Sequence, residues 1–173
     1  MNGIFDVTGE DIAKLGDSSL RELIGLLCEA DYRKANLPVK KISWGGNQDA
    51  QDGGLDVVVE DDVTPPVNSF VPLAKTGFQV KKPKMPPSAI SKEMLAKNGT
   101  LKADLRNFLS NNSAYIIVSS GDSLAQKSKA HSSRINVMKA ALSTAPELES
   151  VQVDFYDQGK IATWVRQYPG INS

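Results

Sequence analysis

The segment that most constrains the fold is an uninterrupted apolar run at residues 114–118, with the sequence AYIIV. Polar, turn-forming residues bound it on both sides, Asn-Asn-Ser before it and Ser-Ser-Gly after it. A strand without polar positions has no face suited to water, so this run predicts a strand that is buried on both faces of a sheet. We therefore expect an α/β protein whose helices cover the sheet.

Hydrophobic periodicity and turn residues predict the remaining elements. Leucine and isoleucine recur at helical spacing between residues 20 and 34 and predict a helix there, capped by Ser18 or Ser19. Strands are predicted at residues 39–44, 55–60, 77–82 and 151–156, and further helices at 88–97, 101–110, 122–142 and 160–167. This order, a meander followed by crossover units, predicts a three-layer sandwich around a central mixed sheet.

The length and composition indicate one ordinary domain. A chain of 173 residues with 40% hydrophobic residues is large enough for a single core, so we expect one domain over residues 1–173. The same sequence suits a free-standing enzyme or an N-terminal module of a longer protein. No secretory leader and no apolar segment of membrane-spanning length is recognisable, so a cytoplasmic protein without a membrane partner is expected. The single cysteine, Cys28, excludes a disulfide framework and a cysteine-rich zinc site.

The charges are unevenly distributed although the net charge is zero. Residues 1–62 contain 13 acidic and 6 basic residues, whereas residues 63–107 contain 2 acidic and 8 basic residues. A neutral chain does not bind nucleic acid through bulk charge, so an anionic substrate has to meet a local patch. Carboxylates for a cation followed by lysines for phosphates are the composition of a metal-assisted phosphate site. Ordinary surface scatter of charges is the alternative explanation.

Polar side chains interrupt two of the predicted strands. Alternation in the strand at 55–60 places Asp56 on one face and Leu55 and Val57 on the other. Alternation in the next strand places Gln79 and Lys81 together on the face opposite Phe78. Polar groups on a buried strand are costly unless they are paired or coordinate an ion. If the two strands form a hairpin, Asp56 joins Gln79 and Lys81.

These residues supply the parts of a hydrolytic phosphate site. The Asp56 carboxylate, the Gln79 amide oxygen and the Val80 carbonyl are the kind of oxygen ligands that Mg²⁺ prefers, and Mn²⁺ is expected to substitute. The metal would activate a water molecule, and Lys81 would orient it and offset the charge that develops on the phosphate. The structural alternative is that Lys81 only extends its ammonium group to solvent from a strand.

The motif order resembles the Mrr-like branch of the PD-(D/E)XK nucleases, in which glutamine replaces the usual acid of the second motif. The resemblance covers residues 20–164 and consists of a helix, Gly-Gly-Leu-Asp56, a strand, Phe-Gln79-Val-Lys81, a helix and the AYIIV strand. More narrowly, the stretches WGGNQDAQDGGLDV, TGFQVKKPKMP, AYIIVSS and VDFYDQGKIATWVRQYPG resemble N-terminal nuclease domains of large bacterial antiphage NTPase proteins.

The resemblance implies a restriction-endonuclease-like fold and a Mg²⁺-dependent endonuclease that acts on double-stranded DNA in antiphage defence. It also implies an acid from the first helix beside the metal, for which Glu22 is the preferred candidate and Glu29 the alternative. The helix has Leu20-Arg21 where the family has an aromatic-acid pair. Lys82 and Lys84 are candidate phosphate contacts. Because cutting both strands of a duplex needs two sites, a homo-oligomer or a larger multidomain protein is expected.

Several alternatives stay open at this point. Asp49 and Asp52 flank the glycine-rich turn and support either the metal site or local turn hydrogen bonds. A neutral amide is a poorer cation ligand than a carboxylate, so a catalytically weak module that binds nucleic acid or mediates assembly is the rival function. RNA is an alternative substrate, because phosphodiester chemistry alone does not distinguish the two sugars.

Overall fold

A five-stranded mixed sheet forms the centre of the molecule. The computed structural model describes residues 6–44, 55–66, 69–125 and 128–172. Within them, the elements are α1 (Gly9–Ala13), α2 (Asp17–Lys34), β1 (Ile42–Trp44), β2 (Val57–Glu60), β3 (Lys75–Lys81), α3 (Pro87–Met94), α4 (Ala103–Phe108), β4 (Ser113–Ser119), α5 (Lys129–Leu142), β5 (Gln152–Asp157) and α6 (Gln158–Val165). Two short 3-10 helices lie at Pro146–Leu148 and Pro169–Asn172.

The strands lie in the order β1-β2-β3-β4-β5. The pairs β1–β2 and β2–β3 are antiparallel, and the pairs β3–β4 and β4–β5 are parallel. Parallel neighbours need crossover connections, which α3 with α4 and then α5 provide. The predicted meander followed by crossover units is therefore confirmed, as is the α/β class.

Helices cover both faces of this sheet, as a three-layer sandwich requires. One buried cluster joins α2 and α6 to the sheet, and it includes Leu20, Ile24, Trp164, Val57, Phe78, Ile116 and Val118. The second cluster joins α3, α4 and α5 to the opposite face, and it includes Ile90, Leu105, Met138, Tyr115, Ile117 and Phe155. Every residue of β4 is buried. The apolar run thus forms the doubly covered strand that it predicts.

Helix α2 begins earlier than its apolar stripe. Its N-cap is Gly16, which makes no side-chain capping bond, so the prediction that Ser18 or Ser19 caps it was wrong. Gly25 on this helix faces β1: a Cβ atom built there would lie 2.2 Å from Cδ2 of Trp44. The helix and the edge strand can approach this closely because Gly25 has no side chain.

Two other elements differ from the sequence predictions. Helix α1 was not predicted; it is closed by a capping box in which Thr8 and Asp11 exchange hydrogen bonds. The predicted helix over 122–142 begins only at Lys129. Its expected first residue, Asp122, is buried instead, because its carboxylate accepts the Met85 N–H at 2.8 Å and pairs with Arg134.

Leu55 also lies on a different face from the one expected. It precedes β2, so the alternation of that strand does not extend to it. A Cβ atom on Gly77 would lie 2.7 Å from Leu55 Cδ2, which places Leu55 with the second cluster, not with Val57.

Among the helices of the described residues, none combines the length and apolar character that crossing a membrane requires.

Candidate active site beside the carboxyl end of β3

Asp56 is bound to β3 through both its backbone and its side chain. Its N–H donates to the Phe78 carbonyl at 2.8 Å, and its Oδ2 accepts the Val80 N–H at 2.7 Å. The β2–β3 hairpin, in register at Val57 and Phe78, brings the aspartate to this position. Asp56 therefore lies beside the strand that carries Gln79 and Lys81, where a hairpin was expected to put it.

Protein groups replace only part of the hydration that the Asp56 carboxylate loses on burial. Its side chain is 20% exposed, and Arg21 Nε of α2 lies 3.2 Å from Oδ1. Burial raises the pKa of Asp56 and outweighs the opposing effects of the Val80 N–H, Arg21 and Lys81. A carboxylate in such surroundings gains from an additional cation, because burial disfavours its charged form.

Gln79 is almost completely buried, with 2% of its surface exposed. Its Oε1 accepts a hydrogen bond from the Tyr115 hydroxyl at 3.3 Å. Tyr115 lies on β4, in register with Gly77 of β3. Burial raises the pKa of Tyr115 well above its usual range, and the charges of Glu93 and Asp56 raise it further. Tyr115 is therefore a neutral donor to Gln79, and the carboxylates of Glu93 and Asp56 are close enough to act on Tyr115.

Lys81 is paired with an acid that the sequence prediction missed. Its Nζ lies 2.9 Å from Glu93 Oε1, and the Glu93 side chain is 18% exposed. Glu93 lies on α3 next to Met94 and one turn after Ile90, both fully buried. The sequence signal that could have identified Glu93 is its position as an acid beside the buried face of a predicted helix, in a stretch with only 2 acidic residues.

The two lysines after β3 have different surroundings. Lys82 Nζ donates to the carbonyls of Ala13 and Leu15, each at 2.8 Å, and so satisfies acceptors at the end of α1. Lys82 therefore has a structural role that the sequence did not predict. Lys84 is exposed in the loop that follows, and phosphate contact stays a prediction for both lysines.

The structure does not bring the predicted helix acids to Asp56. Glu22 is exposed on α2, and Glu29 pairs with Arg33 at 3.5 Å on the same helix. The α2 residue that contacts Asp56 is Arg21. Val80 contributes its N–H to Asp56, whereas metal binding by its carbonyl stays a prediction. Asp49 and Asp52 lie outside the described residues.

The loops after β3 and β4 are bound to each other at this end of the sheet. Ser120 N–H donates to the Lys81 carbonyl at 3.0 Å, and Asp122 accepts the Met85 N–H. A Cβ atom on Gly121 would lie 2.6 Å from the Lys82 carbonyl oxygen, so only glycine allows this approach. These contacts fix the chain that follows Lys81, and with it the position from which Lys81 extends.

The oxygen donors on this face fit a hard divalent cation. Asp56 and Glu93 supply carboxylates, both near Tyr115 and Lys81, and Gln79 supplies an amide oxygen. In the part of the chain that the structure describes, no three His, Cys, Asp or Glu side chains group as ligands. A cation held here would therefore keep several water ligands, as Mg²⁺ commonly does.

Comparisons of the chain with protein-family models, with curated proteins and with solved structures find no match.

Proposed function

We propose that the protein is a Mg²⁺-dependent endonuclease that hydrolyses phosphodiester bonds of double-stranded DNA. The observation that carries the proposal is that the Asp56 carboxylate is bound at 2.7 Å to the backbone of β3, between Gln79 and Lys81 in sequence. The resemblance to Mrr-like PD-(D/E)XK nucleases, with their restriction-endonuclease-like fold, supports the same function. It also leads us to propose an effector domain of an antiphage defence protein.

Each side chain has a distinct task in this proposal. Asp56 and Gln79 would hold the cation, and Glu93 would be a further oxygen donor. When bound, Mg²⁺ supplies an activated water and a Lewis acid for the scissile phosphate. Lys81 Nζ donates hydrogen bonds to the attacking water and offsets negative charge on the phosphate. The pair with Glu93 at 2.9 Å restricts the long Lys81 side chain before substrate arrives.

A second candidate function is supported by the ion pairs themselves. Asp56 is paired with Arg21, and Lys81 is paired with Glu93, so both charged members of the site already have protein partners. A nuclease fold that only binds nucleic acid, or that mediates assembly, needs no unpaired carboxylate. The neutral side chain of Gln79 supports this alternative too.

Cleavage assays with matched variants separate the two functions. Supercoiled plasmid, linear duplex, single-stranded DNA and RNA would each be incubated with Mg²⁺, Mn²⁺ or EDTA. We expect metal-dependent cleavage of duplex DNA, and a loss of about a hundredfold or more in Asp56→Asn and Lys81→Met. Lys75→Met is the control, because Lys75 lies at the opposite end of β3.

Three results would contradict the nuclease proposal. They are DNA binding without cleavage, cleavage that persists in EDTA, and wild-type rates in a folded Asp56→Asn protein. Preferential cleavage of RNA would instead change the substrate class.

A homo-oligomer, or a larger multidomain protein, is proposed to bring two sites to one duplex. Specific activity that is independent of protein concentration would contradict the homo-oligomer.

A further inference from the structure

We propose that Arg21 is an internal cation of the site, which pairs with Asp56 in the free protein and competes there with the divalent cation. The inference rests on the proposed function, because the competing ion is the metal of the proposed nuclease. It assigns a regulatory role to a residue that the predicted ligand set does not include.

The position of Arg21 is the first observation behind this inference. Its Nε lies 3.2 Å from Asp56 Oδ1, while Oδ2 is taken by the Val80 N–H. Oδ1 is therefore the oxygen of Asp56 that faces the positively charged Arg21 side chain. A divalent ion that binds Asp56 through Oδ1 has to meet the guanidinium at the same place, and two cations at that separation repel each other.

The second observation is that the contact between Arg21 Nε and Asp56 is an ion pair without the alignment of a good hydrogen bond. Its Nε is buried and has no hydrogen-bond partner, although it lies within ion-pair distance of Asp56. Arginine normally binds carboxylates through two parallel, well-directed hydrogen bonds, and these give such pairs much of their strength. Because the Nε–Oδ1 contact is poorly aligned, the guanidinium is easier to displace from Asp56 than it would be in a paired fork.

The third observation concerns the route by which Arg21 leaves. Its side chain retains 19% exposure although Nε is buried, so the protein does not enclose the side chain completely. Arg21 extends from α2, whereas Asp56 and Lys81 belong to the β2–β3 hairpin. The arginine can therefore change rotamer without moving the strands that hold the other side chains. The sheet keeps the ligands in place while the internal cation is exchanged for the metal.

Calorimetric titration of the full chain with Mn²⁺ tests the competition directly. We expect Arg21→Gln to bind Mn²⁺ about fivefold more tightly than wild type, since removal of a partly buried ion-pair partner is worth roughly 1 kcal/mol. Arg21→Lys keeps the positive charge and should stay near the wild-type affinity. Arg33→Gln is the matched control on the same helix, because Arg33 pairs with Glu29 and not with Asp56.

The double variant Arg21→Gln/Asp56→Asn shows whether the effect acts through Asp56, and it should lose the tightening. Thermal melts of each variant establish that it is folded. An Arg21→Gln protein that is folded and binds Mn²⁺ no more tightly than wild type overturns the inference, and cleavage by both proteins then leaves the nuclease function intact. Tighter Mn²⁺ binding without any cleavage supports the inference and rejects the nuclease. Absence of Mn²⁺ binding in both proteins rejects both proposals.

Discussion

Trp164 Nε1 donates a hydrogen bond to Asp31 Oδ1 at 3.0 Å, and this buried contact joins α6 to α2. The same carboxylate also accepts the Ser69 hydroxyl at 2.7 Å, the Phe70 N–H at 3.1 Å and the Tyr168 hydroxyl. Burial is the largest cause of the raised pKa of Tyr168, and the hydrogen bond to Asp31 is the second, so Tyr168 stays a protonated donor. One side chain thus connects three segments that are distant in sequence.

Removing this carboxylate should destabilise the protein strongly. We expect Asp31→Leu to lower the free energy of unfolding by about 3–5 kcal/mol, because it leaves several buried donors without an acceptor. Asp31→Asn keeps one acceptor oxygen and should cost about half as much. Urea unfolding at neutral pH measures both. Equal stability of Asp31→Leu and wild type would show that water replaces the carboxylate.

Gly25→Ala should disrupt the packing of α2 against β1. The new Cβ would lie 2.2 Å from the Trp44 ring, so the ring or the helix has to move. We expect a loss of about 1–3 kcal/mol in unfolding free energy and a changed Trp44 fluorescence. Gly159→Ala in α6 is the control, since its Cβ would meet Asp157 Oδ1 at an ordinary 3.5 Å. That substitution should be neutral or slightly stabilising.

Lys82→Met tests whether this lysine supports the fold or binds phosphate. The substitution removes both bonds to the carbonyls of Ala13 and Leu15. We expect faster hydrogen exchange in α1 and a loss of about 1–3 kcal/mol in stability, with unchanged salt dependence of DNA binding. Lys84→Met is the comparison: it should leave α1 unchanged and reduce the salt dependence. A reduced salt dependence of DNA binding in a stable Lys82→Met protein would instead show that Lys82 contacts phosphate.

Asp56→Asn should change the pH dependence of stability. Burial raises the pKa of Asp56 in the folded state above its value in the unfolded chain. The protonated Asp56 side chain therefore contributes its full share of folding stability at pH values below its pKa in the unfolded chain. This contribution is lost as the pH rises through the pKa of Asp56 in the folded protein. We expect Asp56→Asn to gain stability relative to wild type as pH increases over that interval. Urea midpoints of both proteins from acidic to neutral pH measure the difference, and a constant difference would contradict it.

Gln79→Glu should make folding stability depend on a divalent cation. The substitution puts a carboxylate at a position that is 2% exposed, beside Tyr115, on which the charge of Asp56 already acts. Without metal, we expect a loss of about 2–4 kcal/mol, because a buried charge lacks compensation. Mn²⁺ should raise the melting temperature of Gln79→Glu more than that of wild type. Gln152→Glu, on the exposed start of β5, is the control and should show neither effect. An equal response to Mn²⁺ in all three proteins would exclude Gln79 from the ligand set.

Local sequence patterns were sufficient to predict the strands that carry the site. The apolar run became β4 with all residues buried, and alternation correctly put Gln79 on the face opposite Phe78. These predictions succeeded because strand geometry repeats every two residues, so each side chain's face depends on its immediate neighbours. The same reasoning failed for Leu55, which lies just before β2, where the repeat no longer holds.

The sequence by itself determined the α/β order and the residues that share a strand face, because local spacing encodes both. Only the tertiary structure decided the ionic partners: Arg21 for Asp56, Glu93 for Lys81, and the end of α1 for Lys82. Arginine, lysine and glutamate side chains are long and have many rotamers, so their sequence positions do not specify which group they reach. Those contacts depend on where the helices pack against the sheet, and that packing involves residues far apart in the chain.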